Sequence, residues 1–279
     1  MTGIRVVTFF EHQTHEISNL IEATFDVDRQ NSLDRDYILG CDKVGYRSIH
    51  YVCKIGEKRG LLPEYKGLDG LVFEIQVRTV LQHAWAELEH DRSYKFSGEL
   101  PGNLKRKLNL YAGMLEIVDN AFSEIAMQID EYSSALREES KDSILAEDIN
   151  SISLYEYLSK LTIKDIKIEE IGLSSFLIDE VRDFGLEKIG DFDYLLTNNI
   201  LEYIKEYDKQ TTYAGFVRDV LLLNDIDRYF QNVRNVEWGV TDRKSFDMLC
   251  KKYGIDKVIA FFDNNGIYVS DEDEEINFD

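Results

Sequence analysis

The chain has 279 residues, of which 44% are hydrophobic, and a formal net charge of −21. This length allows one large core or two small ones, and the longest apolar runs are too short to span a bilayer. Three cysteines without a Cys-x-x-Cys spacing argue against a disulfide framework and a cysteine zinc site, so we expect a cytoplasmic protein with no membrane partner.

Hydrophobic periodicity predicts alternating strands and helices in the first half of the chain. The strands are predicted over residues 4–10, 46–55 and 70–78, and the helices over residues 13–24, 79–94 and 101–137. Pro101 opens the longest helix, a position where proline is tolerated. These elements predict an α+β fold, a sheet flanked by helices.

Charge separates the two halves of the chain. Residues 1–110 hold 15 Lys and Arg against 16 Asp and Glu, whereas residues 111–279 hold 17 against 37. A surface this acidic repels phosphate backbones. All five histidines lie within the first 90 residues. We therefore expect any chemistry in the first half, and a regulatory role with an unidentified protein partner in the second.

A polar, acidic stretch at residues 138–150 is interpreted as a linker. It would join a first domain at residues 1–137 to an acidic, mostly helical domain of unknown role at residues 151–270. We find no internal repeat. The acidic tail at residues 271–279 is expected to be disordered.

A polar face runs along the third predicted strand. Glu74, Gln76 and Arg78 alternate there, so their side chains project from one face while Ile75 and Val77 point into the core. A carboxylate, an amide and a guanidinium on one face are costly to bury together without a ligand. This pattern indicates a site.

The second predicted strand carries a similar face, formed by Tyr46, Ser48 and His50. An aromatic ring beside an imidazole and a hydroxyl suits a stacked nucleobase with hydrogen-bonded phosphates. An ordinary half-exposed strand with its polar residues outward explains the alternation equally well.

Together these segments resemble the RelA/SpoT-type alarmone synthetases, over about residues 1–135. The chain contains TGIRVV, GYRSIH and EIQVRT followed by QHAWAELEHD, in that family's order. The resemblance implies a nucleotidyltransferase-like mixed sheet flanked by helices. It also implies a GTP pyrophosphokinase of the stringent response, which transfers pyrophosphate from ATP to the 3′-hydroxyl of GDP or GTP with Mg²⁺. A homo-oligomer is left open.

The resemblance also implies roles for single residues. Tyr46 would stack on the acceptor purine, with His50 close to its phosphates and Ser48 as a further substrate-binding residue. Glu74 would be the catalytic residue, as a Mg²⁺ ligand or as the base for the 3′-hydroxyl. The remaining substrate-binding residues would be Gln76 and Arg78, which line the same pocket, and Arg5, which contacts ATP.

The chain departs from the family just before GYRSIH. A Pro-Lys-x-Asn stretch is usual there, and here it is GCDKVGY. Either Lys43 replaces the missing lysine or Asp42 has changed the acceptor preference. The acceptor could then be the 3′ end of a tRNA, as in toxic relatives.

A second departure concerns Arg5. The family's Mg²⁺-binding Asp stands five residues before this arginine, and counting back from Arg5 passes Met1. The family's basic loop for the ATP phosphates would also lie upstream. From this we expect the chain as it stands to be a poor catalyst, or a nucleotide-binding regulator without activity.

One helix face offers a different chemistry. His83, Glu87 and His90 are spaced by four and three residues, so they share a face and could bind a metal. A hydrogen-bonded helix face that packs on the sheet is the more common use of such a set.

Overall fold

The computed structural model describes residues 2–34, 48–68, 70–95, 101–163, 166–169, 173–207, 210–236 and 238–270, with the backbone alone for residues 33, 34, 89–95 and 141. The chain divides into two compact units, Met1–Asp130 and Glu131–Asp279. No helix in the described part of the chain is long and apolar enough to cross a membrane. The predicted disordered tail lies outside the described residues.

The first unit combines a sheet with helices. Its described strands are β1 (Thr2–Thr8), β2 (Asp26–Val27), β3 (Leu33–Asp34), β4 (Ile49–Lys54) and β5 (Phe73–Thr79). Its described helices are α1 (Glu11–Thr24), α2 (Glu57–Gly60), α3 (Val80–Lys95) and α4 (Gly102–Glu138), with a 3₁₀ turn at Pro63–Tyr65. The boundary between the two units falls inside α4.

The sheet is mixed, as predicted. Its strand order is β1-β5-β4-β2, and β3 also pairs with β4. β1 and β5 are parallel, with Arg5 opposite Gln76. β5 and β4 are antiparallel, with His50 opposite Gln76. Three strands that are distant in sequence therefore place one residue each in a single row.

One face of the sheet forms a small core. Alternate residues of a strand face opposite sides, and this core takes the apolar set from β4, β5 and α1. Its buried members are Ile21, Ile49, Tyr51, Cys53, Ile75 and Val77. The prediction that Ile75 and Val77 point inward is confirmed, and the opposite face is left to the polar residues.

The strand boundaries differ from the predicted ones. β5 begins at Phe73 rather than at residue 70, because Gly70 has a φ of +75° that an extended strand does not accommodate. β4 is Ile49–Lys54, and residues 46 and 47 of the predicted strand lie outside the described residues. β2 and β3 are only two residues long, too short for a periodicity to show them.

α4 packs polar side chains onto the first unit, as well as the apolar Ala112. Asp119 accepts a hydrogen bond of 2.5 Å from the Thr79 hydroxyl at the end of β5. Ser123 accepts one of 3.2 Å from the backbone N–H of His12 in the first turn of α1. The helix thus provides hydrogen-bond acceptors at the carboxyl ends of the parallel strands, where backbone N–H groups of the next helices need partners.

The second unit is mostly helical, as predicted. Its described helices are α5 (Lys141–Ile144), α6 (Ser151–Lys160), α7 (Ser175–Asp183), α8 (Ile189–Leu195), α9 (Asn198–Glu206), α10 (Tyr213–Asn224), α11 (Ile226–Asn232), α12 (Arg243–Tyr253) and α13 (Ile255–Asn265). Its described strands are β6 (Lys167–Glu169), β7 (Gln210–Thr212), β8 (Val240–Asp242) and β9 (Tyr268–Ser270), paired in parallel as β6-β7 and β8-β9.

A short strand followed by helices recurs in this unit: three helices follow β6, and two follow each of β7 and β8. This recurrence of elements was not expected from the sequence, in which we find no internal repeat. The stretches Phe184–Lys188 and Tyr253–Lys257 share an aromatic residue, a glycine, an aliphatic residue, a carboxylate and a lysine. Few other positions carry the same amino acid in the recurring segments, because a buried position requires an apolar side chain but not one particular apolar residue.

Residues 138–150, predicted as a linker, differ from that expectation. They contain α5, and the side chains of Ile144 and Ile149 are fully buried in the core of the second unit. The few apolar residues of this mostly polar, acidic stretch show no clear periodicity, so composition alone masked their burial.

Candidate functional site

The site lies on the sheet face opposite the small core. Glu74, Gln76 and Arg78 occupy alternate positions of β5, and their side chains meet in consecutive hydrogen bonds. Arg78 Nη2 donates to Gln76 Oε1 at 2.8 Å, and Gln76 Nε2 donates to Glu74 Oε2 at 3.1 Å. The three residues predicted to share a face therefore form one connected set.

The neighbouring strand completes this set. Nδ1 of His50, on β4, lies 2.7 Å from Oε1 of Glu74. Oγ of Ser48 lies 2.9 Å from Nε2 of the same ring. Both carboxylate oxygens of Glu74 therefore have a partner, and its orientation is fixed from two sides. We call the five residues Ser48, His50, Glu74, Gln76 and Arg78 the polar chain.

The polar chain also sets the charge of Glu74. Burial acts to raise the pKa of this carboxyl. Hydrogen bonds from His50 and Gln76, with the positive charge of Arg78, outweigh burial and hold the pKa below its usual value. Glu74 is therefore ionised at neutral pH, with 23% of its side chain exposed.

β1 adds a charged side chain and an open space to the same face. Arg5 lies beside Gln76, and Gly3 lies beside Glu74. A Cβ placed on Gly3 would meet nothing within 4 Å. The lack of a side chain at Gly3 therefore leaves room next to the Glu74 carboxylate, while Arg5 supplies a cation one row away.

Arg5 is held by α3. Its Nη1 donates to Oε1 of Glu87 at 2.8 Å, and both side chains are more than half exposed. His83 Nδ1 is 4.0 Å from the same oxygen, too far for a hydrogen bond, and is buried without a described partner. An exposed ion pair of this kind contributes little stability, so a ligand could replace Glu87 as the partner of Arg5.

The helix face proposed for a metal is not supported by the part of the chain that the structure describes. The side chain of His90 is outside it, and the described residues contain no group of three or more His, Cys, Asp or Glu placed to hold a metal ion. Tyr46 and Lys43, two of the predicted substrate-binding residues, also lie outside the described residues.

Sequence reasoning missed the support behind the site. Thr79 follows Arg78 directly and caps α3: its N–H donates to Gln82 Oε1, and its hydroxyl accepts from the Gln82 N–H, both at 3.1 Å. The Thr-x-x-Gln spacing is the signal that could have shown this capping box. Asp119, which accepts the hydrogen bond from the Thr79 hydroxyl, is 40 residues away, and no local sequence pattern indicates this contact.

Comparison with known proteins finds relatives that match the first part of the chain. A family model described as "Region found in RelA / SpoT proteins" matches residues 1–99. The GTP pyrophosphokinase YjbM of Bacillus subtilis is 29% identical over 143 residues, which cover 51% of this chain and 64% of that protein. The GTP pyrophosphokinase YwaC of the same organism is 26% identical, over 47% of this chain and 59% of that protein. The chain thus spans less than two thirds of either relative.

Solved structures give a weaker likeness. The small alarmone synthetase 1 of Bacillus subtilis is 29% identical over 46% of this chain and 63% of its own, with a TM-score of 0.38. The same protein bound to its product pppGpp gives a TM-score of 0.37. TM-scores this low carry no conclusion. The sequence matches confirm the predicted resemblance: residues 1–99 match the region found in RelA/SpoT proteins, and the chain is similar to GTP pyrophosphokinases.

Proposed function

We propose that the first unit transfers the β,γ-pyrophosphate of ATP to the 3′-hydroxyl of GDP or GTP. The 3′-oxygen would attack the β-phosphorus of ATP, AMP would leave, and the hydroxyl proton would pass to a carboxylate or to solvent. The observation that carries the proposal is the polar chain, because it holds an ionised carboxylate on a polar sheet face beside Arg5 and the open space at Gly3. Its relatives YjbM and YwaC are GTP pyrophosphokinases.

Glu74 suits a metal ligand better than a base. A general base works best with a pKa near the working pH, whereas the pKa of Glu74 lies below its usual value. Mg²⁺ prefers oxygen ligands and is commonly bound by one or two carboxylates together with substrate phosphates. An ionised, partly exposed Glu74 fits one such position. When bound, the ion would neutralise phosphate charge.

The cationic side chains would have different tasks. Arg5 is exposed and has only a surface partner in Glu87, so it can reach ATP and pair with a phosphate or pack on adenine. Arg78 is 7% exposed and donates to Gln76. Its charge would therefore act on Glu74 from within the protein.

The acceptor half of the proposal rests on Tyr46, with Lys43 close to it in sequence. Stacking on the purine would contribute about 1–3 kcal/mol. Calorimetric titration of GDP and GTP into the protein tests this with Tyr46→Ala, and Tyr194→Ala is the matched control, since Tyr194 is 83% exposed in the second unit. We expect Tyr46→Ala alone to weaken binding. A wild-type protein that binds neither nucleotide would overturn the proposed function.

A further inference from the structure

The polar chain ends inside the protein, at a residue that no substrate can reach. Ser48 is 2% exposed, and its Oγ lies 2.9 Å from Nε2 of His50. The next link, from His50 to Glu74, is 2.7 Å. Residues 48 and 50 are two apart, so in extended backbone their side chains point to the same side.

The positions of the hydrogens on His50 and Ser48 follow from the charge of Glu74. Glu74 is ionised and accepts hydrogen bonds only, so Nδ1 of His50 must carry a hydrogen. In a neutral ring, Nε2 is then an acceptor and the Ser48 hydroxyl donates to it. In a charged ring, Nε2 donates and the same hydroxyl accepts. A hydroxyl can partner the ring in either state.

Both ring nitrogens of His50 are therefore used within the protein. The sequence analysis expected this histidine close to the acceptor phosphates. While the hydrogen bonds of the polar chain are intact, however, neither ring nitrogen is available to bind a phosphate. The order of atoms is that of a serine–histidine–carboxylate triad, but a nucleophile must reach its substrate, and Ser48 is buried. Its role must be exerted through His50.

We propose that Ser48 is a positioning residue, whose hydroxyl holds the His50 ring so that its Nδ1–H orients the Glu74 carboxylate. The hydrogen-bond part of this inference stands on the polar chain alone. The part that concerns a metal rests on the proposed function. A hydrogen-bond partner behind a metal ligand commonly changes metal affinity by about 10–100-fold.

The first test is a spectroscopic signature of the ring. Protein with ¹⁵N-labelled histidine is compared as wild type, Ser48→Ala and Ser48→Thr. The control is Ser18→Ala, another buried serine of the first unit, whose hydroxyl has no described partner. We expect the Nδ1–H tautomer of His50 to predominate in wild type. In Ser48→Ala the ratio of the Nδ1–H to the Nε2–H tautomer should fall by about 3–10-fold. In Ser48→Thr the ratio should return towards the wild-type value. An unchanged His50 signature in Ser48→Ala would overturn the inference.

The second test measures Mn²⁺ affinity by electron paramagnetic resonance on the same proteins. Ser48→Ala should bind Mn²⁺ more weakly by up to about 10-fold, less than the loss of a partner in direct contact with the ligand, because Ser48 acts on Glu74 through His50. Ser48→Thr and Ser18→Ala should stay near wild type. Equal affinities in all four proteins would overturn the metal part. A wild-type protein without Mn²⁺ binding would instead overturn the metal role proposed for Glu74, while the histidine spectra still decide the role of Ser48. Should Ser48→Ala fail to fold, Ser48→Cys replaces it, with a smaller change in the same direction.

Discussion

Nδ1 of His50 lies 2.7 Å from Oε1 of Glu74, and this hydrogen bond joins two adjacent strands across the polar face of the sheet. With Gln76 on the other carboxylate oxygen, the Glu74 side chain is held before any ligand arrives. Phosphoryl transfer depends mainly on positioning and charge neutralisation. A carboxylate fixed in this way meets the first of these needs.

The Arg5–Glu87 pair competes with the proposed contact between Arg5 and ATP. We expect Glu87→Gln to free Arg5 and to raise ATP affinity slightly, because an exposed ion pair is worth at most about 1 kcal/mol. Arg5→Ala should lower ATP affinity. Titration calorimetry with a non-hydrolysable ATP analogue measures both. Weaker binding in Glu87→Gln would show instead that Glu87 itself supports the nucleotide.

Asp119 should make the stability of the first unit depend on pH. Burial raises the pKa of this carboxyl, and the Thr79 hydrogen bond offsets the effect only in part. A group that binds its proton more tightly when folded contributes stability below its unfolded pKa and loses it as the pH rises through the folded pKa. The stability difference between wild type and Asp119→Asn should therefore fall from pH 3.8 upward and then level off.

Urea unfolding of the two proteins across this range measures the difference. Asp130→Asn is the control, since Asp130 is an exposed carboxylate on the same helix. A difference between wild type and Asp119→Asn that stays constant with pH would contradict the account of Asp119.

In the second unit, a buried ion pair fixes α7 against α10. Arg218 donates to both carboxylate oxygens of Glu180 at 2.8 and 2.7 Å, and the Tyr229 hydroxyl adds a third bond. Arg218→Met leaves a buried charge and should cost about 3–5 kcal/mol in the free energy of unfolding. The double variant Glu180→Leu/Arg218→Met should cost less than Arg218→Met alone. Strictly additive costs in urea unfolding would rule out this coupling.

Two glycines at matching positions of the recurring motif form a natural pair. Gly185 and Gly254 have φ values of +94° and +88°, so alanine at either costs about 1–3 kcal/mol. At Gly185 a Cβ would also lie 2.4 Å from Nη2 of Arg228, whose guanidinium stacks over the Phe184 ring at 4.5 Å. At Gly254 it would meet nothing within 4 Å. We expect Gly185→Ala to lower the melting temperature more than Gly254→Ala, and the reverse order would contradict this assignment.

The polar face of β5 could be predicted from the sequence because a strand repeats every two residues, and Glu74, Gln76 and Arg78 show that period directly. The strands that lie beside β5 could not be predicted from the sequence. The row of Arg5, Gln76 and His50 depends on β1 and β4 pairing with β5, and long-range pairing leaves no local pattern.

The misplaced linker has a related cause. Ile144 and Ile149 are buried in a core whose other members extend as far as Ile267, whereas most of the residues around them in the sequence are polar or charged. Composition describes the residues that are adjacent in sequence, whereas burial depends on the contacts made in the folded protein. The support that Asp119 gives to Thr79 was hidden for the same reason.

The most direct test of the central claim is pyrophosphate transfer by Glu74→Gln, in a protein that also carries the family's Mg²⁺-binding Asp and ATP loop ahead of Arg5. The assay follows ATP-dependent conversion of GDP and GTP, with Mg²⁺, by anion-exchange chromatography. The matched control is Glu64→Gln, which alters an exposed carboxylate in the loop between β4 and β5. We predict a rate at least about 10²-fold below wild type for Glu74→Gln, with Glu64→Gln unchanged. A Glu74→Gln protein that transfers pyrophosphate as fast as wild type would contradict the account.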